Sequence, residues 1–125
     1  MRTVGIDPKD GALLPAKFAN IDTATNGDNA IVAAVAGKKI LVLSMSLFSG
    51  GTAVDVYMSS KDNTGAKLLG GTGKISLDKT GAAGIGGFAL GFSPVGHFET
   101  DSGEALNLNL SAGNRVLGQV VYVER

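Results

Sequence analysis

The chain has 125 residues, with 11 Lys plus Arg balanced by 11 Asp plus Glu, one His and no Cys. This length suits one domain able to bury a real core, and zero net charge removes the electrostatic reason to seek nucleic acid or an acidic membrane. Without cysteine there is no disulfide framework, zinc–cysteine site or thiol nucleophile. The mean hydropathy of +0.22 and the absence of net charge both favour association over dispersal.

Residues 1–17 read as an N-terminal arm preceding the domain. Asp7-Pro8-Lys9-Asp10-Gly11 is a turn signature and Pro15 a second break, yet Val4, Ile6, Leu13 and Leu14 are apolar beads between them. Such beads dock on something, so these four are the candidate contacts with a neighbouring subunit or a partner. The segment MRTVGIDPKDG has no apolar targeting core, and the longest apolar run, Ile40 to Leu43, is far short of the roughly 20 residues of a membrane span. A soluble protein is expected, with no membrane partner.

Residues 18–125 read as one β-sandwich domain. Phe18 to Asp22 is a short strand candidate, Thr23 to Asn29 is polar turn chemistry around Asn26-Gly27, and Ala30 to Val35 is a small-residue apolar strand. The stretch Lys39 to Ser60 is the centre of the pattern. It reads as a hairpin: Ile40 to Phe48 and Val54 to Met58, joined at Ser49-Gly50-Gly51-Thr52. Leu41, Leu43, Met45 and Leu47 are expected on one side of the first arm. Ile40, Val42 and Phe48 make its other side partly apolar, which calls for cover by another sheet or another subunit.

Ala66 to Leu69 and Lys74 to Leu77 are weaker strand candidates. Gly87 to Phe92 places Phe88, Leu90 and Phe92 on one face; Ala105 to Leu110 alternates Leu106, Leu108 and Leu110 inward with Asn107 and Asn109 outward. In the last strand, Val116 to Val123, Gly118, Val120 and Tyr122 share one face while Leu117, Gln119, Val121 and Val123 share the other. About eight short strands separated by frequent turns predict an all-β sandwich of jelly-roll type. Its inner faces are expected to include Leu41, Leu43, Met45, Leu47, Val54, Val56, Met58, Phe88, Leu90, Phe92, Leu106, Leu108, Leu110, Val120 and Tyr122.

Five constellations bear on chemistry. Gly70-Gly71-Thr72-Gly73-Lys74 lacks the spacing and the strand-to-helix setting of a phosphate loop, and Gly81 to Gly87 lacks the dinucleotide spacing. His97, with Glu99, Asp101 and Glu104 nearby, offers a general base but no nucleophile. Asp22, Asp28 and Asn29, or Asp7 and Asp10, match no calcium loop and are explained by turns. Asn107, Asn109 and Tyr57 suggest a polar sugar-binding face, but the chain has no Trp to stack on a sugar. No catalytic, cofactor or metal site is expected.

The runs AAVAGKKI (Ala33 to Ile40), GGF…P.GHFET (Gly86 to Thr100) and GEALNLNLS (Gly103 to Ser111) resemble small virion structural proteins of tailed bacteriophages, of the capsid decoration (cement) type. The resemblance covers about three quarters of the chain and leaves out residues 1–17. It implies a non-enzymatic protein that assembles as a homo-oligomer, a trimer by analogy. It also implies binding between subunits of the major capsid protein, and a place on the capsid surface of a virion assembled in the host cytoplasm. The alternative is a receptor- or carbohydrate-binding β-domain of a phage tail or fibre.

Overall fold

The computed structural model describes residues 3–69, 74–77 and 86–125. All regular structure among these residues is β, in eleven strands where the turn spacing suggested about eight. The additional strands are short. β1 (Val4–Ile6) and β2 (Leu13–Pro15) pair with each other alone, and β9 (Phe98–Glu99) is two residues long.

The other strands form two sheets, with every pairing antiparallel. β4 (Gly27–Val32), β6 (Val54–Ser60), β7 (Lys74–Leu77) and β10 (Leu106–Leu110) make a four-stranded sheet in the order β4-β10-β6-β7. β3 (Lys17–Thr23), β5 (Ile40–Ser49), β8 (Gly87–Leu90) and β11 (Val116–Glu124) run in the order β3-β11-β5-β8, and β9 extends the same edge beside β5. The two sheets bury one core between them. Ile21, Val42, Met45, Leu47, Val116 and Val120 come from the five-stranded sheet; Val32, Val54, Val56, Met58, Leu77, Leu106, Leu108 and Leu110 come from the four-stranded one.

The stretch expected to be a hairpin is an arch. β5 bonds to β11, β8 and β9, β6 bonds to β10 and β7, and the two are not neighbours in either sheet. Gly51, at φ +102°, lets the chain leave one sheet and enter the other instead of folding back on itself. The alternation that suggested a hairpin is equally satisfied when each arm contributes its apolar face to opposite sides of one core.

The inner face of β5 also differs from strict alternation. Its register with β11 slips: Val121 faces Ser44, Tyr122 faces Val42, and Leu43 between them has no partner. This bulge inverts the parity of the strand. Met45 and Leu47 enter the main core together with Ile40 and Val42, whereas Leu41 and Leu43 point to the opposite face and form a second cluster with Val123. Phe92 is a further departure. It lies beyond the end of β8 and is 53% exposed. Asn107, expected in solvent, is only 1% exposed and donates to both Asp28 and Ser59. The glycine-rich stretches 70–73 and 81–85 lie outside the described residues.

Candidate functional site: the outer face of the N-terminal hairpin

The segment with apolar beads folds into a hairpin. Asp7 Oδ1 accepts from the Lys9 amide and Asp10 Oδ1 from the Ala12 amide, both at 2.9 Å, and Gly11 adopts φ +74°. These bonds make the Asp-Pro-Lys-Asp-Gly run a tight turn. In the register Gly5 lies opposite Leu14, Ile6 opposite Leu13 and Val4 opposite Pro15. Directly paired residues share a face, so the hairpin has a Gly5/Leu14 face and a Val4/Ile6/Leu13/Pro15 face.

The first of these faces lies on the sandwich. Leu14 and Ala16 pack on the second cluster of Leu41, Leu43 and Val123. Gly5 is buried so closely that a Cβ there would stand 2.8 Å from Val123 Cγ1 and 3.1 Å from Leu43 Cδ1. The bulge in β5 therefore creates the seat, and glycine lets the hairpin approach it.

The second face points away. Leu13 is 69% exposed, Pro15 is exposed, and Val4 and Ile6 are half-buried. The loop 91–97 extends this surface. The Ile6 amide donates to the Pro94 carbonyl at 2.6 Å, and Val95 is 54% exposed. The loop is held to β5 at the bulge, with the Ser93 amide donating to Leu43 O and the His97 amide to Val42 O, each at 2.9 Å. Of the four residues singled out in the sequence, Val4, Ile6 and Leu13 thus share an outward face, while Leu14 is turned into the domain. Sequence reading did not find Pro94 and Val95, because they join the patch only through long-range pairing.

An ion-pair cluster fixes the hairpin from its turn end. Arg125 Nε donates to Glu99 Oε2 at 2.6 Å, Nη2 to Glu99 Oε1 at 3.0 Å, and Nη1 to Asp7 Oδ1 at 3.2 Å; Lys39 Nζ adds a contact to Glu99 at 3.4 Å. The Arg125 hydrogen bonds hold the Glu99 carboxyl below its ordinary range, against a desolvation that acts the other way. Asp7, Lys39 and Arg125 also line an open groove of about 500 Å³ beside the turn.

The other candidate groups do not converge. His97 Nε2 donates to the Gly91 carbonyl at 2.7 Å. Glu99 is held by Arg125, and Glu104 accepts from Ser60 Oγ at 2.5 Å. Asp22 pairs with Arg115, and Asn29 accepts from Thr23 Oγ1. Asp28 Oδ1 takes the side-chain amides of Asn107 and Asn109 and the backbone amide of Asn63. The ladder considered as a sugar-binding face therefore donates within its own chain. Among the described residues no group of three or more His, Cys, Asp or Glu side chains is arranged to hold a metal ion.

No protein-family model matches the chain, and no curated protein matches it. Among solved structures, its fold is similar to that of a chain in the acidic stable capsid structure of Helicobacter pylori bacteriophage KHP30. The likeness has a TM-score of 0.54 and 14% identity, and spans 98% of this chain and 91% of that one. At this identity it is a likeness of fold.

Proposed function

We propose that the chain is a non-enzymatic phage virion structural protein that decorates a capsid by binding between capsid subunits. One observation carries the reading: the fold is shared with a capsid chain over nearly the whole of both molecules. The likeness is thus to an entire small chain rather than to one domain of a large one. The wrapping of the strands supports the jelly-roll form of the sandwich. Successive strands β3, β4, β5 and β6 alternate between the two sheets, and so do β10 and β11.

The contact surface in this reading is the outward hairpin face with Val4, Ile6 and Leu13, continued by Pro94 and Val95. Exposed apolar side chains on a hairpin seated on the sandwich suit a partner that buries them. Many such contacts on one shell multiply a modest affinity.

The test is to mix the purified protein with undecorated heads of the phage that encodes it, and to compare wild type with Leu13→Asp. Leu13 is 69% exposed, so this change leaves the fold intact. Wild type should co-sediment with heads and the variant should bind at least about tenfold more weakly, as expected when a charge enters an apolar contact. Equal binding by both would remove the hairpin face from the contact, and no binding by either would overturn the decoration reading.

A further inference from the structure

We infer that β3 is a docking edge, at which an extended segment of a capsid subunit adds a strand to the five-stranded sheet. Hydrogen-bond parity defines what this edge offers. The Gly50 amide donates to Arg115 O at 2.8 Å. Bonding residues alternate along an antiparallel ladder, so Leu117, Gln119 and Val121 bond to β5. Val116, Gly118 and Val120 then bond to their partners on β3: Thr23, Ile21 and Ala19. Phe18, Asn20 and Asp22 therefore turn their amides and carbonyls away from β11. Among the described residues β3 has no neighbour on that side, and all three residues are exposed.

The other edges are blunted and this one is not. β7 and β8 have four residues each, β4 skips Ile31 in its register with β10, and the loop after β8 is tied to β5 through Ser93 and His97. By contrast, β3 keeps an unbroken register over seven residues that include no proline or glycine. Charged side chains often guard such an edge. Here they are drawn back across the sheet, Lys17 to Glu124 on β11 at 3.1 Å and Asp22 to Arg115, the residue before β11, at 3.0 Å.

The complement of such an edge is the backbone of an extended chain, which presents donors and acceptors at the same alternating spacing. An open groove of about 240 Å³ lies beside the edge, between residues 20–23 of β3 and 29–31 of β4. It gives room to the side chains that an added strand turns toward the sandwich. Continuity selects the source of that strand. β2 runs into β3 through Ala16 alone, so Pro15, on the outward hairpin face, is followed almost at once by Lys17, where the edge starts. A subunit that covers the hairpin face is thereby beside β3. The inference rests on the decoration reading and deepens it by naming the form of the contact.

The experiment compares wild type, Asn20→Pro and Asn20→Ala in co-sedimentation with undecorated heads, and follows wild-type amide hydrogen exchange free and on heads. Asn20→Pro removes an outward N–H that no strand of this chain uses, a change that edge strands tolerate. Asn20→Ala removes the side chain and keeps the N–H. Asn20→Pro should bind heads at least about tenfold more weakly, and Asn20→Ala should bind as wild type does. In the free protein the amides of Phe18, Asn20 and Asp22 should exchange fast and those of Ala19 and Ile21 slowly; on heads the first three should become protected. The exchange measurement decides the matter if Asn20→Pro fails to fold. Wild-type binding with the three amides still unprotected, a folded Asn20→Pro that binds normally, or an equal loss in Asn20→Ala would overturn the inference and leave the decoration reading standing. Protection that grows with concentration in the free protein would assign the edge to a second copy and overturn it too. No binding of heads by wild type would sink both readings together.

Discussion

Arg125 grips Glu99 through two nitrogens, Nε to Oε2 at 2.6 Å and Nη2 to Oε1 at 3.0 Å, and reaches Asp7 with a third. The fork geometry of guanidinium and carboxylate makes this the strong form of ion pair. Its significance lies in what it joins: β9 on one edge of the sheet, the residue after β11, and the turn of the N-terminal hairpin. The backbone reinforces the junction, since the Lys39 and Arg125 amides each donate to the other's carbonyl, at 2.8 and 3.0 Å.

The first prediction is a pH dependence. Glu99 has its carboxyl pKa lowered from the ordinary 4.5, chiefly by the Arg125 hydrogen bonds. The unfolded chain therefore takes up this proton more readily than the folded one. The stabilisation is complete above the ordinary value and is lost as pH falls below it, through the lower folded-state value. Glu99→Gln should be less stable than wild type by about 1–2 kcal/mol at pH 7, with the gap closing in acid. Urea unfolding at a series of pH values measures this, and a gap that stays constant down to pH 2 would rule the pair out as its source.

Gly5 gives the second. A valine there would drive into Val123 and Leu43. Gly5→Val should lift the hairpin and cost about 1–3 kcal/mol, with increased binding of a hydrophobic dye as Leu41 and Leu43 are uncovered. Unchanged dye binding would mean that the hairpin accommodates the side chain without moving.

The third separates the two apolar clusters. Leu47 is in the inter-sheet core and Leu43 beneath the hairpin, both with no exposed surface. Truncation to alanine should cost about 2–5 kcal/mol at either position. The difference is where protection is lost. Leu43→Ala should accelerate amide hydrogen exchange in β1 and β2 selectively, while Leu47→Ala should accelerate it across both large sheets. Identical exchange patterns would show that the clusters are one cooperative unit.

These clusters also show how far the sequence could be read. Alternation in Leu106, Leu108 and Leu110 and in Val54, Val56 and Met58 identified the inner face of the four-stranded sheet, because those strands keep a single parity throughout. The same rule misplaced Leu41 and Leu43. Every residue from Ile40 to Leu43 is apolar, so the stretch carries no parity signal, and the bulge at Leu43 is set by pairing with Val121 and Tyr122 some 80 positions away. The arch escaped for a related reason: Gly-Gly permits a reversal within one sheet or between two, and only the partners of β5 and β6 decide. At the candidate site, Val4, Ile6 and Leu13 were legible as apolar beads. Leu14, adjacent to Leu13, was placed with them because hairpin register is invisible until Leu14 is known to face Gly5.

Asp28 supplies the last prediction. Its Oδ1 accepts from Asn107 at 2.9 Å, Asn109 at 3.0 Å and the Asn63 amide at 3.1 Å. Asp28→Ala leaves the buried Asn107 amide with Ser59 alone and releases the turn that holds Asn63. A loss of about 1–2 kcal/mol in thermal or urea unfolding is expected. A neutral outcome would mean that water replaces the carboxylate at all three donors.

The order of strands within the sheets has a consequence for the way the chain acquires its structure. β11 lies between β3 and β5, and β10 lies between β4 and β6. The central member of each sheet is thus made late: β3 and β4 have no in-sheet neighbour until it arrives, while β5 and β6 have only β8, β9 and β7 to pair with before then. On a ribosome, residues 17–60 would emerge as four strands lacking the partners that sit between them, and neither sheet could close before β10 and β11 had been synthesised. Folding is then a late, largely all-or-none event dominated by distant pairings, which places it in the slow range of about milliseconds to seconds for a domain of this size. A truncation that stops before β11 should yield no partially folded sandwich.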